Sequence, residues 1–278
     1  MKIKITSWNI EGRLSHSGAK RRGTPDKIFL AIKKLNADIL VLLEAHSEAT
    51  LDDITHAKQL AKLGYTIRSV PYQDDTYLRT DTYTDKLSLM LLSKLPIDKF
   101  EIIRLADIRN AFSAIIDIDK NSPKIRIIGL HLDDRQESTR LKQVADLSKI
   151  INQSQIPTMV LGDFNAMHGT DIWPATFLRS KPIAKITQSV SPIIASRAVE
   201  MASGSTLKLL ESNTRLVDAD SKHRPTTTPK FRGAEWLPSI RLIQIDHMYI
   251  SPEIKISNFE ISADGGSDHR AISTTINI

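Results

Sequence analysis

The sequence predicts a mixed α/β chain in which helices cover a largely antiparallel sheet, folded as one domain. Apolar runs of strand length recur from one end of the chain to the other, and stripes at helical spacing sit between several of them. No Gly/Ser-rich or Pro-rich linker and no fixed-period repeat divides the 278 residues, which are enough to bury one large core.

The first strand is expected at 3–8, where charged and apolar residues alternate; that alternation is unlike the continuous apolar stretch of a signal peptide. Further strands are expected at 39–43, 87–92, 112–118, 125–132, 158–161, 245–250, 256–261 and 271–278. The runs Ile39-Leu40-Val41-Leu42-Leu43 and Met159-Val160-Leu161 are apolar without a break, as strands covered on both faces should be. Thr24-Pro25-Asp26 reads as a helix start, with Ile28, Ile32 and Leu35 following at helical spacing. A second stripe runs through Leu51, Ile54, Leu60 and Leu63 to a capping Gly64, and a third through Leu141, Val144, Leu147 and Ile151. The runs 112–118 and 125–132 read as a hairpin. The polar stretches 71–86 and 180–239 fit neither period and are expected to be long functional loops.

Composition narrows the chemistry. The chain holds no cysteine, which excludes disulfides, thiolate metal sites and cysteine nucleophiles and makes a cytoplasmic location the default. No apolar run approaches the roughly 20 residues that span a bilayer, so no stable membrane association is expected. The net charge of +6 lies entirely in residues 179–241, which carry 11 basic and 5 acidic side chains. Such a surplus suits an anionic partner, or else a solvated basic surface.

Polar residues fit for metal and phosphate chemistry gather at the strand ends: Asn9 and Glu11, Glu44, His131, Asp163 and Asn165, Asp246, and Asp268 with His269. Each alone reads equally as a turn former, a cap or a hydrogen-bonded core residue. Asp246, flanked by Ile245 and His247, would be a buried acid in need of a partner, and His269 is the obvious one.

Seven segments in order resemble the endonuclease/exonuclease/phosphatase family, whose folds are like that of pancreatic-type deoxyribonuclease. They are Ser7-Trp8-Asn9-Ile10, Ala37-Asp38-Ile39 through Glu44, Ser93-Lys94-Leu95-Pro96-Ile97, Gly129-Leu130-His131-Leu132, Gly162-Asp163-Phe164-Asn165-Ala166, Ile245-Asp246-His247 and Ser267-Asp268-His269. The resemblance implies a deoxyribonuclease I-like, four-layered α/β sandwich with two central, mostly antiparallel sheets and the site at their common rim. It implies Glu44 as principal ligand of Mg²⁺, with Mn²⁺ as the alternative ion. Asn9 would complete the metal shell or hold Glu44, and Asp268 would bind a second ion or orient the site. His269 would act as base with Asp246 orienting it, Asp163 would orient or activate the water, and Asn165 would donate to the phosphate. His131 would stabilise the pentavalent state or protonate the leaving oxygen.

Ala45-His46 after Glu44 and a histidine at 131 disfavour the abasic-site endonuclease branch. Ala166 and Gln244-Ile245-Asp246-His247 disfavour the inositol polyphosphate phosphatases. The basic stretch favours a nucleic acid substrate. Arg224, Arg232 and Trp236 in that stretch, together with Arg21 and Arg22 after the first strand, are the candidate substrate contacts; their bland alternative is ordinary loop packing. The expectation is a Mg²⁺-dependent phosphodiesterase acting on DNA or RNA. The alternatives are the same chemistry on a phospholipid headgroup or small phosphate ester, and a binding module without catalysis. No protein partner is inferable.

Overall fold

Two parallel strand pairs form the middle of the fold. A computed structural model describes residues 1–11, 25–45, 57–71, 88–106, 109–119, 123–168, 200–227, 241, 243–263 and 265–277. In one sheet β1 (Lys2–Asn9) runs parallel to β2 (Ile39–Leu43). In the other, β7 (Ile125–His131) runs parallel to β8 (Thr158–Asp163). A parallel pair needs a crossover. Helices α1 (Pro25–Leu35) and α3 (Glu137–Asn152) lie within the two crossovers.

Antiparallel strands flank both pairs. Around β1 and β2 lie β3 (Thr66–Pro71), β4 (Ser88–Ser93), β11 (Lys255–Ile261) and β12 (Ile272–Asn277), in the order β11-β12-β1-β2-β4-β3. Around β7 and β8 lie β5 (Ile97–Arg104), β6 (Asn110–Ile116), β9 (Val217–Asp218) and β10 (Asp246–Ile250), in the order β5-β6-β7-β8-β10-β9.

Strand alternation explains the layering. Ile3, Ile5, Val41 and Leu91 of the first sheet meet Phe112, Ile127, Leu161 and Met248 of the second in one apolar layer. On the outer face of the first sheet, Trp8, Leu40, Leu42 and Met90 pack on Ile28 and Ile32 of α1 and on Leu60 of α2 (Ala57–Lys62). On the outer face of the second, Ile128, Leu130 and Val160 pack on Val144, Leu147 and Ile151 of α3 and on Leu207 and Leu210 of α4 (Ser205–Asn213). Each such buried side chain contributes about 1.5–3 kcal/mol. The chain is thus a four-layered α/β sandwich. Gly129 lies close against the other sheet: a Cβ there would come 2.9 Å from Val41, and 2.3 Å from the ring of Phe112, its own strand-pair partner.

The strands expected from periodicity all form, with ends shifted by up to two residues among the described ones. Four elements were not anticipated. Thr66–Pro71 takes Pro71 out of the expected loop. Ile97–Arg104 is an edge strand whose Asp98, Lys99 and Glu101 keep its outer side charged. The 180–239 stretch, expected as loop, contains helix Ser205–Asn213 and strand Val217–Asp218, because Leu207 and Leu210 reach the core at i, i+3 spacing. Residues 72–86, Leu51, Ile54 and Thr24 lie outside the described residues. No helix among the described residues is long and apolar enough to cross a membrane.

Candidate active site

Strand direction brings the polar strand ends to one rim. β1 and β2 end together, with Asn9 beside Leu43, so Glu44 follows next to Asn9. β7 and β8 also end together, with His131 beside Asp163. Antiparallel β10 begins there, with Asp246 opposite Asp163, and His269 precedes antiparallel β12, whose Ile272 pairs with Ser7. The inner-face alternation that makes the apolar layer ends in Asn9, Asp163 and Asp246 instead of another aliphatic residue.

Asn9 ties the two sheets. Its Oδ1 accepts the Glu11 amide at 3.1 Å, which turns Nδ2 to donate to Glu44 Oε1 and to Asp163 Oδ2, both at 3.2 Å. Glu11, Glu44 and Asn165 adopt left-handed backbone, with φ of 52°, 46° and 48°. That geometry is costly for residues with a Cβ, by about 1 kcal/mol or more each, and its recurrence marks a site where side-chain direction outranks backbone comfort.

Asp246 and His269 form a buried pair. His269 Nδ1 lies 2.9 Å from Asp246 Oδ2 and 3.0 Å from Oδ1. Thr226 and Thr227 donate their hydroxyls to Asp246 Oδ2 at 2.7 and 2.9 Å. Burial alone would raise the Asp246 carboxyl, but the His269 charge and these donors hold it below its usual range. Burial works against the His269 charge, yet Asp246, then Asp268 and Asp163, keep the imidazolium well above the ordinary histidine range. Asp163 stands 3.8 Å from His269 Nδ1, and burial with the Asp246 charge pushes its carboxyl up to about 7. His131 Nε2 is 3.7 Å from Asp163; burial, then Arg109, lowers its imidazole to about 3, so it is neutral. Asn165 donates its backbone N–H to Asp163 Oδ1 at 2.9 Å and its amide to the Leu132 carbonyl at 3.0 Å. Asp268 Oδ1 lies 3.9 Å from His269 Nε2.

Burial is the largest influence on Glu44 and raises its carboxyl; Asp268 and Asp134 add repulsion, while Asn9 and His269 oppose the rise. Several buried carboxylates facing one space fit a hard divalent cation with oxygen ligands. Asp163, Asp246 and His269 also bring ligand atoms within 4.8 Å of one another, close enough to hold a metal. Asp246 and His269 already spend their facing atoms on each other, which leaves the Glu44 side as the better cation position.

The sequence matches the model of the Endonuclease/Exonuclease/phosphatase family over residues 6–269. The chain belongs to that family. Members of the Endonuclease/Exonuclease/phosphatase family are phosphoric ester hydrolases, nucleases and phosphatases among them. Solved structures share the fold. A family protein from Beutenbergia cavernae superposes with a TM-score of 0.69 at 16% identity, over 100% of this chain and 72% of its own. ANGEL2, a 2′,3′-cyclic phosphatase solved with adenosine-2′,3′-vanadate, gives 0.66 at 15% identity, over 99% and 95%. The 3′-5′ exonuclease NExo of Neisseria meningitidis gives 0.64 at 16% identity, over 99% and 100%. No curated protein matches the chain by sequence.

Eight of the strand-end candidates, Asn9, Glu44, His131, Asp163, Asn165, Asp246, Asp268 and His269, thus meet at the rim. Arg21, Arg22, Arg232 and Trp236 lie outside the described residues. Arg224 turns elsewhere: its guanidinium pairs with Asp220 at 3.0 Å, donates to the Phe259 carbonyl at 3.0 Å and stands over the Phe259 ring, so it clamps a loop and does not reach for a substrate. Sequence reasoning missed four supporting residues: Thr226 and Thr227, Ser267 (whose Oγ donates to the Asn9 carbonyl at 2.7 Å), and Trp8, which donates to the His269 carbonyl at 3.1 Å. Thr226 and Thr227, in a polar stretch, carry no pattern that could have singled them out. Trp8 and Ser267 stood inside the family-like segments but without a role of their own.

Proposed function

We propose that the chain is a single catalytic domain that hydrolyses phosphodiester bonds of DNA or RNA with a divalent cation, Mg²⁺ or Mn²⁺. The observation that carries the chemistry is the buried Asp246–His269 pair facing Asp163 and the Asn9–Glu44 arm across the sheets. The basic surplus of residues 179–241 supports nucleic acid as the polyanion.

Glu44 and Asp268 would hold the cation, with Asn9 fixing Glu44. When bound, the cation polarises the phosphoryl oxygens, neutralises developing charge and counters the pull of Asp246 on the His269 proton. Water, oriented by Asp163, attacks phosphorus and gives its proton to His269, whose imidazole Asp246 orients and whose positive charge Asp246 stabilises. The bond to the leaving oxygen breaks as the new one forms, without a covalent enzyme intermediate, and the leaving oxygen takes up a proton from solvent water. Neutral His131 donates a hydrogen bond to the phosphoryl oxygens as charge builds, and Asn165 completes the cradle. The reading places the enzyme in the cytoplasm, without a membrane partner.

Incubation with plasmid, single-stranded DNA and RNA, with Mg²⁺ or Mn²⁺ and with EDTA, tests it. Cleavage that EDTA abolishes and added cation restores is the expected result. Turnover of small phosphate esters alone, with every nucleic acid intact, overturns the nuclease reading in favour of a small-ester phosphodiesterase.

A further inference from the structure

Gln244 is 2% exposed, and both ends of its carboxamide, Oε1 and Nε2, are closed to solvent and find no hydrogen-bond partner among the described residues. An orphaned buried donor or acceptor carries its full desolvation penalty. A methionine would fill the same space without that cost, so the carboxamide asks for a reason.

Position supplies one. Ile243 and Ile245 pack with Met167 and Ala202 on the outer side of this strand segment. Met248 of β10 faces the inter-sheet layer. Ile243 and Ile245 thus share one side of the segment that leads into β10, and Gln244 between them takes the other, the side of Asp246, about 7 Å before it in the chain. The backbone there is fixed. Thr226 and Thr227 both donate N–H to the Ile243 carbonyl at 2.9 Å, and Thr227 bridges to Ile243 on one side and His269 on the other. The two threonines that hold Asp246 thus also hold the segment that carries Gln244.

We propose that Gln244 is a substrate-contacting residue of the rim, its carboxamide reserved for the edge of a nucleobase beside the scissile phosphate. The inference rests on the nuclease reading and deepens it. A carboxamide offers a donor next to an acceptor, which matches a base edge bidentately. A phosphate oxygen only accepts, so phosphate alone would leave Oε1 unpaired. Enclosure without a partner is the costly state of this amide, and a base that satisfies both ends draws the chain toward the conformation that admits it.

Gln244→Met and Gln244→Glu test the assignment. Each is assayed for thermal stability alone, with nucleoside monophosphates and with inorganic phosphate, and for cleavage of homopolymeric single strands. The wild type is expected to prefer some bases, and Gln244→Met to melt a few degrees higher while losing about tenfold or more of kcat/KM on the preferred base. Its response to inorganic phosphate stays unchanged. A wild type indifferent to base, an unchanged preference in Gln244→Met, or a lower melting temperature overturns the inference. If the methionine variant does not fold, Gln244→Glu, which keeps the acceptor and loses the donor, makes the same comparison. If no nucleic acid is cleaved, the nuclease reading fails by itself. Stabilisation by nucleoside monophosphates beyond that by phosphate, lost on substitution, then still upholds Gln244, and its absence rejects it.

Discussion

Asn9 and Asp163, at the ends of strands in different sheets, meet at 3.2 Å through the Asn9 amide, which also donates to Glu44. The hydrogen bond joins the side of the rim proposed for the cation to the side proposed for proton transfer. Asn9→Ala is expected to lower activity or cation affinity about 10–100-fold and to cost about 1–3 kcal/mol of stability, since the buried Asp163 carboxylate loses a donor. Titrating Mg²⁺ against rate for the variant measures it, and a wild-type titration would show that the tie has no catalytic part.

Asp246→Asn keeps the shape of the Asp246–His269 contact and removes its charge. The imidazole then loses the partner that fixes its tautomer, and kcat is expected to fall by about 10⁴-fold. His269→Ala should cost as much, and the double variant little more, because the two act as one unit. Additive losses would separate them into independent groups.

Thr226→Val and Thr227→Val each remove a hydroxyl that donates to Asp246 Oδ2. Each is expected to cost about 1–3 kcal/mol of stability, since a buried carboxylate loses a donor, and to reduce kcat more than it raises KM. Chemical denaturation and steady-state kinetics give the two numbers. A change in KM alone would place the threonines at the substrate instead.

His247 is buried, with Nε2 2.9 Å from the Ala166 carbonyl and Nδ1 3.5 Å from Asp218 Oδ2. The imidazolium donates to the Ala166 carbonyl and sets its positive charge within ion-pair range of Asp218. Burial opposes its charge, but Asp218 raises its pKa above the ordinary 6.5. A group raised on folding stabilises fully below its unfolded pKa, and the benefit fades as pH rises through the folded value. The melting temperature should therefore fall as pH is raised from about 6.5 upward. Asp218→Asn should flatten that slope; an unaltered slope would assign the pH dependence to other groups.

Gly129 lets the sheets approach. In Gly129→Ala the new Cβ meets the Phe112 ring and Val41, so about 1–3 kcal/mol is lost to overpacking. That lowers the melting temperature by several degrees for a chain of this size. An unshifted transition would mean that Phe112 yields freely.

Much of this was legible in the sequence because it depends on period and order. The unbroken apolar runs at Ile39–Leu43 and before Asp163 marked strands covered on both faces, and the polar residues at their ends marked the rim; that these strands run parallel to their neighbours was not foreseen. What escaped depends on tertiary neighbours. Ile97–Arg104 lacks a clean alternation because an edge strand is half wet, and Ser205–Asn213 buries only Leu207, Leu210 and Thr206, too few for a clear stripe. Thr226 and Thr227 became visible only when Asp246 was seen beside them. Arg224 was read by its charge, and its nearest acid, Asp220, four residues earlier, claimed it.

Because the first sheet supplies Asn9 and Glu44 while the second supplies Asp163 and Asp246, neither half holds a working set by itself. A partly assembled chain would then lack the proposed activity. During refolding, recovered turnover would report the joining of the two sheets and not the formation of either one alone.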